Sequence, residues 1–90
     1  MQKTVSITVT GKVQGVWFRG YTLHKALELH ITGFVKNQPD HSVYIIAAGT
    51  KEQLDEFIVC CRQGSPGSKV EQVEVKEIAL QQFTSFSIER

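Results

Sequence analysis

The stretch GKVQGVWFRG, residues 11 to 20, holds the residues with the clearest capacity for chemistry. Gly11 and Gly15 frame a loop that runs through Val16, Trp17 and Phe18 and delivers Arg19 at the expected start of a helix. A loop feeding a helix leaves several backbone N–H groups without intrahelical acceptors, and the aligned peptide dipoles make that end partly positive. Anions collect at such places. Glycine at 15 permits a positive φ, so the N–H groups from Gly15 through Arg19 can converge on the oxygens of one anion. The planar fork of Arg19 matches two such oxygens. The same pattern also serves a plain turn before a helix, since GKVQG matches neither the Walker A spacing nor G-x-G-x-x-G. On the residues alone both readings stay open.

The elements that would have to position this loop are written in the hydrophobic pattern. TVSITVT, residues 4 to 10, alternates Val5, Ile7 and Val9 with Ser6, Thr8 and Thr10, which predicts a half-buried strand. From residue 19 to 30 the period changes: Leu23, Ala26, Leu27 and His30 fall at helical spacing, with Thr22, Lys25 and Glu28 around the rest of the turn. His30 suits the negative end of a helix dipole. FVKN and SVYIIAAG then read as two strands of a hairpin turning across residues 38 to 41. Thr50 with Gln53 forms a capping box, and Leu54, Phe57, Ile58 and Cys61 trace one face of a second helix that stops at Gly64. After the turn GSPGS, strand patterning returns through Val73 and Val75, and the spacing from Val70 to Val73 implies either a late start or a bulge. FSIE makes a short last strand. This order predicts a single α+β domain over residues 1–90: a ferredoxin-like βαββαβ sandwich, an antiparallel sheet with two helices on one face and a short extra C-terminal strand.

Composition narrows the function classes. Ten Lys and Arg interleave with nine Asp and Glu for a net charge of +1, which argues against a nucleic-acid partner. No apolar run approaches the roughly 18 residues needed to span a bilayer, and no secretory leader precedes the first strand, so a cytoplasmic protein without a membrane partner is expected. Cys60 and Cys61 are adjacent and read as free thiols, one in the core and one at the surface. No metal-ligand spacing occurs. His24 and His30 read as a solvated helix residue and a helix-end residue, and Asp55 and Glu56 point apart. Phe34, Tyr44, Phe57, Phe83 and Phe86 read as core or sheet-face packing.

GKVQGVWFR resembles the signature of the acylphosphatases, G-x-V-Q-G-V-x-F-R, and GFVKNQPD, residues 33 to 40, resembles the second motif of that family. The likeness extends along nearly the whole chain, including SKVEQVEV. It implies a monomeric, cofactor-free hydrolase of acyl phosphates, the mixed anhydrides of a carboxylic and a phosphoric acid. By position, Arg19 corresponds to the phosphate-binding arginine and Asn37 to the asparagine that orients water. The amides of Gly15, Val16, Trp17, Phe18 and Arg19 correspond to the phosphate cradle. Inorganic phosphate is then both product and inhibitor. Two competing readings are a noncatalytic anion-binding module and a nucleic-acid-binding ferredoxin-like domain, the second disfavoured by charge.

The chain departs from the family pattern at two points. Asp40-His41 stands where Asp-Gly is usual, and histidine tolerates the left-handed region better than most residues. Gly20 stands where relatives often carry a larger or basic residue; it costs about 1 kcal/mol against alanine inside a helix and removes an auxiliary charge beside Arg19. Trp17 occupies a variable position, either packed or at the entrance of the site.

Overall fold

The computed structural model describes residues 1 to 89. Residue 90, the last position of the expected domain, lies outside the described residues. The alternation of the first segment produces β1 (Gln2–Lys12), whose Val5, Ile7 and Val9 are buried. It is followed by α1 (Phe18–Glu28), β2 (Thr32–Asn37), β3 (Val43–Thr50), α2 (Lys51–Gln63), β4 (Lys69–Ile78) and β5 (Phe86–Glu89). The five strands form one sheet in the order β4-β1-β3-β2-β5. Both helices contribute to the core that the sheet's apolar face closes, which is the α+β ferredoxin-like arrangement expected.

One feature of the sheet corrects the expectation. The first four strands pair antiparallel, but β5 runs parallel to β2, with Val35 opposite Ile88 and Gly33 opposite Phe86. The sheet is therefore mixed. Residues 79–85 carry the chain from the β4 edge to the other edge. On the way Gln81 exchanges hydrogen bonds with Thr4, its N–H donating to Thr4 Oγ1 at 3.0 Å and its carbonyl accepting from that hydroxyl at 3.3 Å. Of the two alternatives the Val70–Val73 spacing allowed, a late start or a bulge, the bulge is present: Thr10 faces Gln72 while Gly11 faces Val70, so Glu71 is the extra residue.

The inward face of the first helix is shifted from the one the spacing suggested, keeping Ala26 in the core with Leu23 packed against it. Phe18, Thr22 and Ala26 are buried, whereas Leu27 is 58% exposed. The face is set by the entry of the chain at Phe18, which seats its ring in the core. Thr22 is tolerated inside because its hydroxyl donates to the Phe18 carbonyl at 2.8 Å. The helix ends in a Schellman motif: Ile31 N–H donates to Ala26 O at 2.8 Å, with His30 in the left-handed region at φ 59°. His30 thus serves as the stop residue as well as a helix-end side chain.

The second helix follows its sequence pattern. Gln53 N–H donates to Thr50 Oγ1 at 3.2 Å and Thr50 N–H donates to Gln53 Oε1 at 2.9 Å, closing the capping box. Leu54, Phe57 and Cys61 are buried, and the Phe57 ring meets Phe86 edge-on at 6.0 Å between centroids. Phe34, Tyr44 and Phe83 gather instead on the sheet's open face.

Candidate functional site

The strand directions converge on one end of the sheet. Val9, Val43 and Asn37 occupy one row across β1, β3 and β2, and the β5 residue Ile88 lies beside Val35, one step back along β2 on the same face. The chain leaves β1 at Lys12 and enters the loop that leads into α1 at this end. The loop, the last residue of β2 and β5 together enclose a cleft of about 280 Å³ lined by Val13, Gly15, Trp17, Phe18, Arg19, Gly20, Asn37 and Ile88. Arg19 and Asn37, far apart in the sequence, are thereby brought to one site. Of the loop residues, Gly15, Trp17, Phe18 and Arg19 border the cleft. Val16 does not: its side chain packs on the core, and its carbonyl accepts from Ser65 Oγ at 2.8 Å.

The backbone of the loop is unusual in the way an anion cradle requires. Gly15 has φ 74° and Trp17 has φ 63°, two left-handed residues flanking Val16. Among the described residues, none of the amides from Gly15 to Arg19 donates to a backbone carbonyl; the first bond of the helix comes from Tyr21 N–H to Trp17 O at 3.0 Å. No side chain of the described residues caps the helix, and no acidic residue sits in its first turn. Among the described residues, nothing compensates the positive end of the dipole beside Arg19. Arg19 Nη1 donates to the Glu89 carbonyl at 3.4 Å, which ties the guanidinium to β5.

Asn37 is the final residue of the β2 ladder. Its Oδ1 is buried and has no hydrogen-bond partner among the described residues. An acceptor in that state costs roughly 1–3 kcal/mol unless a donor reaches it, and the cleft it lines is where a donor would arrive.

Two positioning groups escape sequence reasoning. Gln14 Nε2 donates to the carbonyls of Gln38 and Ser42, both at 2.9 Å, and so bolts the loop to the turn that follows Asn37. For Gln14 the signal was the glutamine of G-x-V-Q-G-V-x-F-R, which by itself says nothing of the two carbonyls it reaches. Ser65, buried in the turn after α2, had none. The β2–β3 turn keeps its shape without glycine: His41 adopts φ 73°, and Asp40 Oδ1 accepts from Ser42 N–H at 3.0 Å and from Ser42 Oγ at 2.6 Å. These bonds from Ser42 hold the Asp40 carboxyl below its ordinary range.

The acylphosphatase family model matches residues 5–88. The chain belongs to the acylphosphatase family. It is 42% identical to an acylphosphatase of Methylococcus capsulatus over 98% of this chain and 97% of that one. It is 46% identical to an acylphosphatase of Rhizorhabdus wittichii over 87% of this chain and 82% of the relative. The crystal structure of the Bacillus subtilis acylphosphatase superimposes with a TM-score of 0.95 at 37% identity, each chain covered in full. Membership makes the chain a hydrolase of the acylphosphatase type, and acyl phosphates are the substrate class. No helix among the described residues is long and apolar enough to cross a membrane.

Proposed function

We propose that the cleft binds the phosphoryl group of an acyl phosphate on the amides of Gly15 to Arg19 and the Arg19 guanidinium, and that Asn37 aims the attacking water. The observation that carries this reading is the meeting of Arg19, the left-handed loop and the unsatisfied Asn37 Oδ1 in one cleft. A carboxylate is already a good leaving group. The protein therefore has mainly to fix the phosphoryl, neutralise its equatorial oxygens and place water in line with the bond that breaks. Water oxygen bonds to phosphorus as the bond from phosphorus to the acyl oxygen opens, and the electron pair leaves with the carboxylate. A carboxamide holds water through donor and acceptor together but takes no proton. The water proton passes to a phosphoryl oxygen of the substrate, and the products are a carboxylate and inorganic phosphate.

The experiment is hydrolysis of benzoyl phosphate by the purified chain, with and without EDTA. Turnover that withstands the chelator and is inhibited competitively by phosphate is expected. Phosphate binding without turnover would leave a noncatalytic anion module instead. The proposal includes a monomer at work in the cytoplasm. Exposed apolar side chains are spread over both helices, the loops and β5, and the unbridged thiols of Cys60 and Cys61 suit a reducing compartment.

A further inference from the structure

Three residues along the rim of the cleft combine backbone strain, a weak helix former and an exposed apolar side chain. Trp17 is 63% exposed, with its backbone held in the left-handed region at φ 63°. Gly20 lies inside α1, where alanine would be the better helix former. Ile88 is 41% exposed, although it shares the inward face of β5 with the buried Phe86. All three border the same cleft. Two of them depend on each other: a Cβ at position 20 would overlap the indole Nε1 of Trp17 and stand 2.7 Å from its Cδ1. The missing side chain at 20 is what lets the indole lie down over the helix backbone at the mouth of the site.

From this arrangement we infer that Trp17, seated on Gly20, and Ile88 form an apolar wall that receives the acyl group of the substrate and favours aryl over small alkyl acyl phosphates. The inference rests on the proposed acyl phosphate chemistry and adds the part of the substrate that reading leaves unassigned. Arg19, Asn37 and the loop amides are the groups suited to oxygens, so the apolar side of the lining, Val13, Trp17, Phe18, Gly20 and Ile88, is left to the carbon end. The cleft of about 280 Å³ runs from the loop amides and Arg19 past Trp17 and Gly20 to Ile88. An acyl group attached to a phosphoryl held on the loop therefore lies among these residues. An indole presents a flat face on which an aryl ring stacks, whereas an acetyl methyl covers little of it.

The test compares kcat/KM for benzoyl phosphate and acetyl phosphate in the wild-type chain and in Trp17→Ala, Gly20→Ala and Ile88→Ala. Intrinsic reactivity of each substrate is common to all four proteins, so a change in the ratio reports the wall alone. The benzoyl-to-acetyl ratio is expected to fall about tenfold in Trp17→Ala and in Gly20→Ala, where the new methyl displaces the indole, and about threefold in Ile88→Ala. A ratio constant within about twofold across the three variants would overturn the inference. A second readout is independent of turnover. Trp17 is the only tryptophan of the chain, so its emission reports ligand directly. Benzylphosphonate is expected to shift that emission and to bind about tenfold more tightly than methylphosphonate, a preference lost in Gly20→Ala. Such binding in a chain that hydrolyses neither substrate would retain the wall and remove the hydrolase mechanism. Equal binding of the two phosphonates by a chain that does turn over would do the reverse.

Discussion

Arg19 and Asn37 divide the proposed chemistry, and each makes a separable demand. Arg19→Ala removes a preorganised positive donor, and turnover of benzoyl phosphate is expected to drop by roughly 10²–10³, with weaker inhibition by phosphate. Asn37→Ala leaves the cradle in place, so kcat falls while the inhibition constant for phosphate hardly moves. Full kcat in Asn37→Ala would remove that residue from the mechanism. Cys61 illustrates a residue whose chemistry is suppressed. Burial pushes its thiol from an ordinary 9.0 up to about 12. The folded state favours the neutral thiol, so this contribution to stability is whole below pH 9.0 and is lost as pH climbs toward about 12. In the native protein at pH 8, Cys61 is expected to resist an aromatic disulfide reagent that reaches the half-buried Cys60, and both thiols react once the chain is unfolded. Rapid modification of Cys61 without unfolding would contradict its burial.

At the scale of elements, the loop, the β2–β3 turn and α1 act as one assembly joined by Gln14. Gln14→Met keeps the length of the side chain and removes both of its hydrogen bonds to the turn carbonyls. A stability loss of about 1–2 kcal/mol is expected in urea. Because the turn sets Asn37, kcat should fall about tenfold with little change in phosphate inhibition. Loss of phosphate affinity without loss of kcat would show that Gln14 supports the cradle rather than Asn37. The turn has its own acid limit. The Asp40 carboxyl is held below its ordinary 3.8, first by the Ser42 hydroxyl and then by the Ser42 amide. Its stabilising effect is present above that ordinary value and is lost as pH falls through the lower folded one. Hydrogen exchange of the Ser42 amide should lose protection only in that acid range in the wild-type chain, and at every pH in Asp40→Ala. The second helix is simpler, since capping box, apolar stripe and stop glycine agree, and its ends are where those signals place them.

For the whole molecule, β5 is the element that joins stability to the site. Phe86 fills the core against Phe57, Ile88 borders the cleft, and the Glu89 carbonyl receives Arg19. A chain cut after Ser85 loses a buried aromatic anchor, a cost of roughly 3–5 kcal/mol if its cavity does not collapse. Thermal melting should fall accordingly, and turnover should fall further than the remaining folded fraction accounts for. Turnover proportional to that fraction would mean that β5 only stabilises. Sheet order also predicts the pattern of opening: amides of the central strands β1 and β3 exchange most slowly, and those of the edge strands β4 and β5 first.

Local patterning was sufficient for most elements because period and capping act within a few residues. The β1 alternation, the α2 box and stripe and the hairpin turn were all legible, as was an irregularity near Val70 that only the pairing shows to be a bulge, and so were the fold class and the two motifs carrying Arg19 and Asn37. The inward face of α1 was not, because Leu23, Ala26 and Leu27 fit a helical stripe as well as Phe18, Thr22 and Ala26 do. Only the seat of Phe18 in the core chooses between them. The direction of β5 was not legible either, since a four-residue strand carries no mark of its neighbour. The joining of Arg19, Asn37, Gln14 and Ile88 at one end of the sheet depends on strand order and direction, and the room that Gly20 leaves for Trp17 depends on side chains meeting across a turn. Those are properties of the packed chain, where contacts between residues distant in sequence decide what the local pattern leaves degenerate.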